Sequence, residues 1–393
     1  MDFLDFIEGV QLDKALANIN YQADHLKNVV RIRTTEDVGS FEWLPSDKIA
    51  IVGVEEDRGN AVNLGAADAP DQFRKYFYQL YKGVGFANIV DLGNIKAGDA
   101  LSDTYFAVSE TVSGLIKKGI IPVIIGGTKD LTFANFQAYK TLEQTVNLTA
   151  IDSAFNIGET TAPISASNYL SKVVLHQPNF LFNFSNIGYQ TYFVSQNEVA
   201  LIDQLFFDTY RLGFVRSDIR ENEPIIRNAD FVSFDISSIR QSEAPACASA
   251  TPNGLFGDEA CQLARYAGLS DKLTSIGFYE VNPSLDFHGQ TSHLLAQMVW
   301  YFMDGVFNRK KDFPACNKTE YIKYTVAMES QKDDIVFYKS EKSDRWFMDV
   351  PYPNASGSKY ERHLLVPCSY LDYQVACNNE LPDRWVQTFK KLR

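Results

Sequence analysis

A chain of 393 residues, 45% hydrophobic and 22% charged, can bury a core the size of one large α/β domain with elaborations, or of two domains. Its net charge of −12 argues against non-specific binding to nucleic acid, whose phosphates favour basic surfaces. No apolar run approaches the ~20 residues of a membrane span, and the acidic start M-D-F-L-D-F-I-E lacks the pattern of a secretion signal, so a cytoplasmic protein with no membrane partner is expected.

Residues 1–48 read as an N-terminal arm, with a helical pattern around Leu12–Val30 and an end at Pro45. Ile49–Val54 is a short continuous apolar run, the mark of a strand buried on both faces. A Gly/Ala/Asp-rich loop leads to a helix over Ala69–Tyr81 and a second strand over Ala87–Leu92. Between Ser102 and Lys118, apolar residues recur on one helical face, and Gly119 ends the helix. Further strands are expected at Ile121–Ile125, Asn147–Ile151, Asn179–Phe184, Thr191–Val194, Ala229–Ile236 and Leu273–Tyr279, and helices at Gln196–Phe206, Asp258–Ala267 and Thr291–Val306. This alternation implies βαβ crossovers and a three-layer α/β/α domain with a mostly parallel sheet over residues 49–307. Composition changes at Asn308. Residues 308–393 read as an extension packed on the main domain, with a β-hairpin from Ile335–Tyr338 and Arg345–Val350 and a closing helix over Pro382–Leu392.

Five cysteines, Cys247, Cys261, Cys316, Cys368 and Cys377, are an odd number without C-x-x-C spacing, which reads as reduced thiols rather than a disulfide frame or zinc site. No phosphate loop or dinucleotide fingerprint is present, since G-G-T-K-D lacks the G-x-x-x-x-G-K-[ST] spacing.

In an open parallel sheet a ligand site lies beyond the carboxyl ends of the strands. Four such ends carry polar motifs: G-G-T-K-D at 126–130, D-S-A-F-N at 152–156, S-F-D-I-S at 233–237 and E-V-N-P at 280–283. Together with G-A-A-D-A-P-D-Q-F-R at 65–74 and V-D-L-G-N at 90–94, their order resembles the arginase/ureohydrolase superfamily, closest in texture to formimidoylglutamase, from about Ile49 to Val306. That family has G-G-D-H-S, D-A-H-x-D and S-x-D-x-D at the first three. Its activity comes from two Mn²⁺ ions that activate a shared hydroxide and polarise an amidine or guanidinium carbon.

The resemblance places the family's metal ligands at Lys129, Asp152, Ala154, Asn156, Asp235 and Ser237. Only the two aspartates suit a hard cation. Lys129 is expected within salt-bridge range of Asp152 or Asp235, replacing the metals electrostatically; strand-end capping is the structural alternative for the aspartates. Glu280 corresponds to the carboxylate that grips the substrate's cation, with an internal salt bridge as its alternative. His176 is expected near the pocket, or else as a surface or core histidine, and Arg240 adds positive charge to the same neighbourhood.

These residues imply a degenerate metal site, no cofactor, and a pseudoenzyme that binds or scaffolds a protein partner or small molecule. Homo-oligomerisation is compatible with this reading. Two alternatives stand beside it: a divergent hydrolase of a C–N bond in a linear amidine such as formimidoylglutamate, with Mn²⁺, and a small-molecule sensor that keeps the old pocket.

Overall fold

The apolar run at Ile49 forms β3 (Ile49–Glu55), and its period-two alternation divides it between two cores. Ile49 and Ile51 face one helical layer, whereas Ala50, Val52 and Val54 face the other. The computed structural model describes residues 2–37, 41–313, 320–328, 334–351 and 361–392.

Within them the main sheet has ten strands. These are β1 (Ile7–Glu8), β2 (Arg31–Ile32), β3, β4 (Ile89–Lys96), β5 (Ile121–Ile125), β6 (Val146–Ile151), β7 (Leu181–Tyr189), β8 (Asp208–Arg211), β9 (Phe231–Asp235) and β10 (Ser275–Tyr279). Their order is β1-β4-β3-β5-β10-β9-β6-β7-β8, with β2 beside β4. All pairings are parallel except that of β1 with β4.

Helices α1 (Leu12–Ala15) and α2 (Leu26–Val29) are single turns in the arm. The crossovers carry α3 (Ala69–Phe77), α4 (Leu101–Lys117), α5 (Leu131–Thr141), α6 (Tyr169–Val174), α7 (Gln196–Gln204), α8 (Leu212–Ser217), α9 (Glu223–Arg227), α10 (Gly257–Leu269) and α11 (Gln290–Phe307). Residues of α3, α10 and α11 pack in one core; those of α4 and α5 pack in the core on the opposite face. The expected three-layer α/β/α architecture is the one observed. No helix among the described residues is long and apolar enough to cross a membrane.

Two motifs of the sequence are structural. Arg74 on α3, 1% exposed, donates from Nε and Nη2 to both oxygens of Asp91 on β4 at 2.9 and 2.8 Å, and from Nη1 to Asn94 Oδ1 at 2.6 Å. A planar guanidinium fork suits this bidentate pairing, and it fastens the first crossover helix to its sheet.

Several local expectations need correction. The helical pattern over Leu12–Val30 yields only α1 and α2, because the backbone between strands bonds to the rim: Leu26 N donates to Leu80 O and Lys27 N to Tyr78 O. Thr191–Val194 is not a strand; Thr191–Phe193 is a 3₁₀ turn, since Gln190 N is tied to Ser153 O and pulls the chain out of the sheet. β8 and α5 lie outside the elements expected from the sequence, as do α6, α8 and α9.

The hairpin of the extension is present as β12 (Ile335–Ser340) and β13 (Trp346–Asp349), and β11 (Tyr321–Val326) and β14 (Leu365–Cys368) complete an antiparallel sheet. Helices α12 (Tyr370–Cys377) and α13 (Asp383–Leu392) follow. Arg227 of α9 donates to Trp346 O and Cys368 O, Arg362 pairs with Asp230 at 2.5 Å, and Lys391 pairs with Asp208 at 3.1 Å. These bonds fix the second sheet to the amino-terminal side of the first. The thiols of Cys247, Cys261, Cys368 and Cys377 are free, and Cys316 lies outside the described residues.

Candidate functional site

The order β5-β10-β9-β6 brings four strand ends side by side, with Lys129, Glu280, Asp235 and Asp152 following or closing them. After β5 the chain turns at Gly126 and Gly127, both left-handed with φ of 91° and 70°. A Cβ at Gly127 would sit 2.5 Å from Glu56 O, so only glycine lets the loop pass under the end of β3. The turn lifts Lys129 to the carboxyl edge just before α5 begins. Neighbouring strands lie about 4.8 Å apart, so a side chain starting after β5 must pass over β10 to reach β9 and β6. The four-carbon stem of lysine does this.

The Lys129 ammonium lies 2.7 Å from Asp235 Oδ2 and 3.1 Å from Asp152 Oδ2. Every remaining carboxylate oxygen accepts a hydrogen bond from a nearby N–H or O–H. Asp152 accepts from Ala154 N at 3.0 Å and Asn156 Nδ2 at 2.7 Å; Asp235 accepts from Ser237 N and Ser237 Oγ, both at 2.7 Å. Three of the six positions that the resemblance assigns to metal ligands thus aim side-chain donors at the two aspartates. A metal ligand must instead present a lone pair, and Ala154 has no side-chain donor atom. Among the described residues no group of three or more His, Cys, Asp or Glu is arranged to hold a metal ion.

Glu280 is fully buried and sits at φ 71°, an uncommon conformation for a non-glycine residue. Its backbone N donates to Gly127 O, and its carboxylate is caged. Oε1 accepts from Lys129 N at 2.9 Å, and Oε2 accepts from Asn63 Nδ2 at 2.7 Å and Asn60 Nδ2 at 2.9 Å. Asn282 holds Asn63 in turn through Asn63 Oδ1 at 3.2 Å. This asparagine cage was not legible in the sequence, because Asn60 and Asn63 sit in a loop about 220 positions from Glu280 and carry no local pattern. The adjacent Asp286 caps α11, accepting from Thr291 N and Ser292 N.

One ammonium thus faces three buried carboxylates. Burial alone would lower the Lys129 pKa, but Asp152, Asp235 and Glu280 hold it well above the usual lysine range. The carboxylates share that single cation incompletely. Burial pushes Glu280 up to about 7, helped by Asp235 and opposed by Lys129; burial likewise takes Asp152 to about 6 against the pull of Lys129.

Because the folded Glu280 holds its proton more tightly than the unfolded chain does, its contribution to stability is complete below its unfolded pKa. That contribution is lost as pH rises through about 7. Relative to Glu280→Gln, the wild type should therefore gain stability as pH falls from about 7 toward 5, with a limiting slope of about 1.4 kcal/mol per pH unit. Denaturant midpoints across that window test this, and parallel profiles would exclude Glu280 as the titrating group.

Two expected pocket residues are elsewhere. His176 follows α6, which carries the chain back to the start of β7, and its ring lies against Phe133, Phe136 and Phe180 with Nδ1 near Pro178 O at 3.1 Å. It is a partly buried packing histidine at the opposite edge of the sheet. Arg240 turns its guanidinium onto the Phe256 ring, 3.5 Å from the centroid, and donates weakly to Gly254 O. It forms no ion pair with the site carboxylates, because the chain leaves the sheet edge at the 3₁₀ turn Ile236–Ser238.

The fold, the four strand-end motifs and their geometry define a ureohydrolase-type protein. The Arginase family model matches residues 47–304, and the chain belongs to that family. Within it, the chain is similar to two bacterial formimidoylglutamases. It is 21% identical over 280 residues to that of Bacillus subtilis (strain 168), covering 65% of this chain and 86% of the relative. It is 25% identical over 290 residues to that of Staphylococcus aureus (strain MRSA252), covering 69% and 90%. The structure of Trypanosoma cruzi formiminoglutamase with Mn²⁺ superposes with a TM-score of 0.63 at 18% identity, covering 70% of this chain and 98% of that one.

Proposed function

We propose that this arginase-family chain is a non-catalytic, metal-free binding or scaffolding protein that works in the cytoplasm, with Lys129 standing where divalent ions would neutralise Asp152 and Asp235. The observation that carries this reading is the reversal of hydrogen-bonding sense at the site. Lys129, Asn156 and Ser237 donate to the aspartates, occupying the lone pairs that a metal would need. Without a metal-bound hydroxide the chain has no nucleophile of the family's kind, and the Glu280 carboxylate, fully buried, has both oxygens already engaged by the cage of Asn60, Asn63 and Lys129 N.

The second reading is a hydrolase of a linear amidine such as formimidoylglutamate. It is favoured by the names of the relatives and by the survival of E-V-N-P. A small-molecule sensor on the old pocket would need the Asn60–Asn63 loop to open.

Protein purified with added Mn²⁺ should carry well below one equivalent of metal per chain, and should not hydrolyse formimidoylglutamate or guanidines. Near-stoichiometric manganese together with measurable hydrolysis would favour the enzyme. The absence of both, with saturable stabilisation by an amidine, would favour the sensor.

A further inference from the structure

A second concave surface lies on the same edge of the sheet, at the ends of β7 and β8 and beside α8. It is a groove of about 610 Å³, in the size range of small-molecule sites. Among the described residues its lining has two arginines, Arg211 and Arg216, and no carboxylate, in a chain whose net charge is −12. Arg211 is exposed. Its Nε donates to Tyr189 Oη at 2.9 Å, and it forms no ion pair with any described carboxylate, so its other donors are open. Arg216 is held by the Phe256 ring, 4.5 Å from the centroid, and by Glu259 at 3.3 Å through Nε. Both guanidiniums are steadied by an aromatic partner, which lowers the entropy lost when they bind a ligand.

Aromatic surface lies beside this charge. Tyr192 is 65% exposed and Phe214 48%, and both line the groove. Tyr192 is not a loose side chain, because Oη accepts from Asn253 Nδ2 at 3.0 Å and also bonds to Gln190. Exposed rings next to two forked cations, of which Arg211 has no described carboxylate partner, match one chemistry: an anion for the guanidiniums and a planar group for the rings.

We propose that this groove binds a small organic anion with a planar ring, its phosphate or carboxylate pairing with Arg211 and Arg216 and its ring stacking on Tyr192 or Phe214. The site is separate from the Lys129 cluster, so it stands or falls independently of whether the chain holds a metal.

Titration of the full chain with AMP and phenyl phosphate, followed by thermal stabilisation and calorimetry, tests this. Saturable binding of AMP is expected, with inorganic phosphate and adenosine each weaker by about tenfold or more. Arg211→Gln and Tyr192→Ser, both at exposed positions, should each weaken AMP by about tenfold while melting like the wild type without ligand. No saturable response to either probe up to about 5 mM overturns the proposal. So does AMP binding that Arg211→Gln leaves unchanged, or inorganic phosphate binding as tightly as AMP.

Discussion

Replacing Lys129 by alanine should destabilise the fold by roughly 3–5 kcal/mol, the usual result of leaving buried charge without its partner. Lys129 is 9% exposed and its ammonium bridges two aspartates that are each 1% exposed, so water cannot take its place cheaply. Lys129→Met controls for the lost stem and should be nearly as damaging, which separates charge from volume. The triple change Lys129→Met, Asp152→Asn, Asp235→Asn should recover part of the loss, since it removes the charges together. The loss in Lys129→Ala should also shrink toward pH 5, where the stranded carboxylates can protonate. Urea denaturation of the four proteins measures all of this. If Lys129→Met unfolds at the wild-type midpoint, the ammonium does not compensate the aspartates.

The second large effect concerns metal. The combined variant Lys129→His, Ala154→His, Asn156→Asp, Ser237→Asp should take up about two manganese ions per chain, because it gives six hard or borderline donors to a pair of divalent ions. Metal should then stabilise it in a concentration-dependent way, by about 2.7 kcal/mol for each site filled at a hundredfold excess over its Kd. Without metal the variant should be the weakest fold of the series, since it adds two carboxylates and removes their cation. Lys129→His alone should bind no more metal than the wild type, because Asn156 and Ser237 still donate to the aspartates and Ala154 offers nothing. Stoichiometric manganese in that single variant would show that the ligand count does not limit the site.

The extent to which the site was readable follows from how its parts are encoded. Residue types at strand ends carry their chemistry openly: lysine is a cation, alanine has no donor atom, and asparagine and serine are weak neutral ligands beside carboxylate and imidazole. Lys129 was therefore expected near Asp152 and Asp235, and lies 3.1 and 2.7 Å from them. Spatial proximity has no such local signature. His176 is close in sequence to the site segments, yet α6 carries it to the other edge of the sheet. Arg240 follows Asp235 by five positions, yet the 3₁₀ turn directs it to Phe256.

By itself, then, the sequence determined the parallel α/β core and the donor character of the residues at its strand ends. Buried strands must be apolar on both faces, crossover helices must be amphipathic, and a side chain's donor character belongs to the residue. The tertiary structure alone decided which groups meet. The strands lie in the order β5-β10-β9-β6, which no local pattern encodes. That non-sequential order sets one ammonium among three carboxylates, closes Asn60 and Asn63 over Glu280, and leaves Arg211 and Arg216 at a separate groove. These are contacts between residues far apart in the chain, selected by global packing rather than by local propensity.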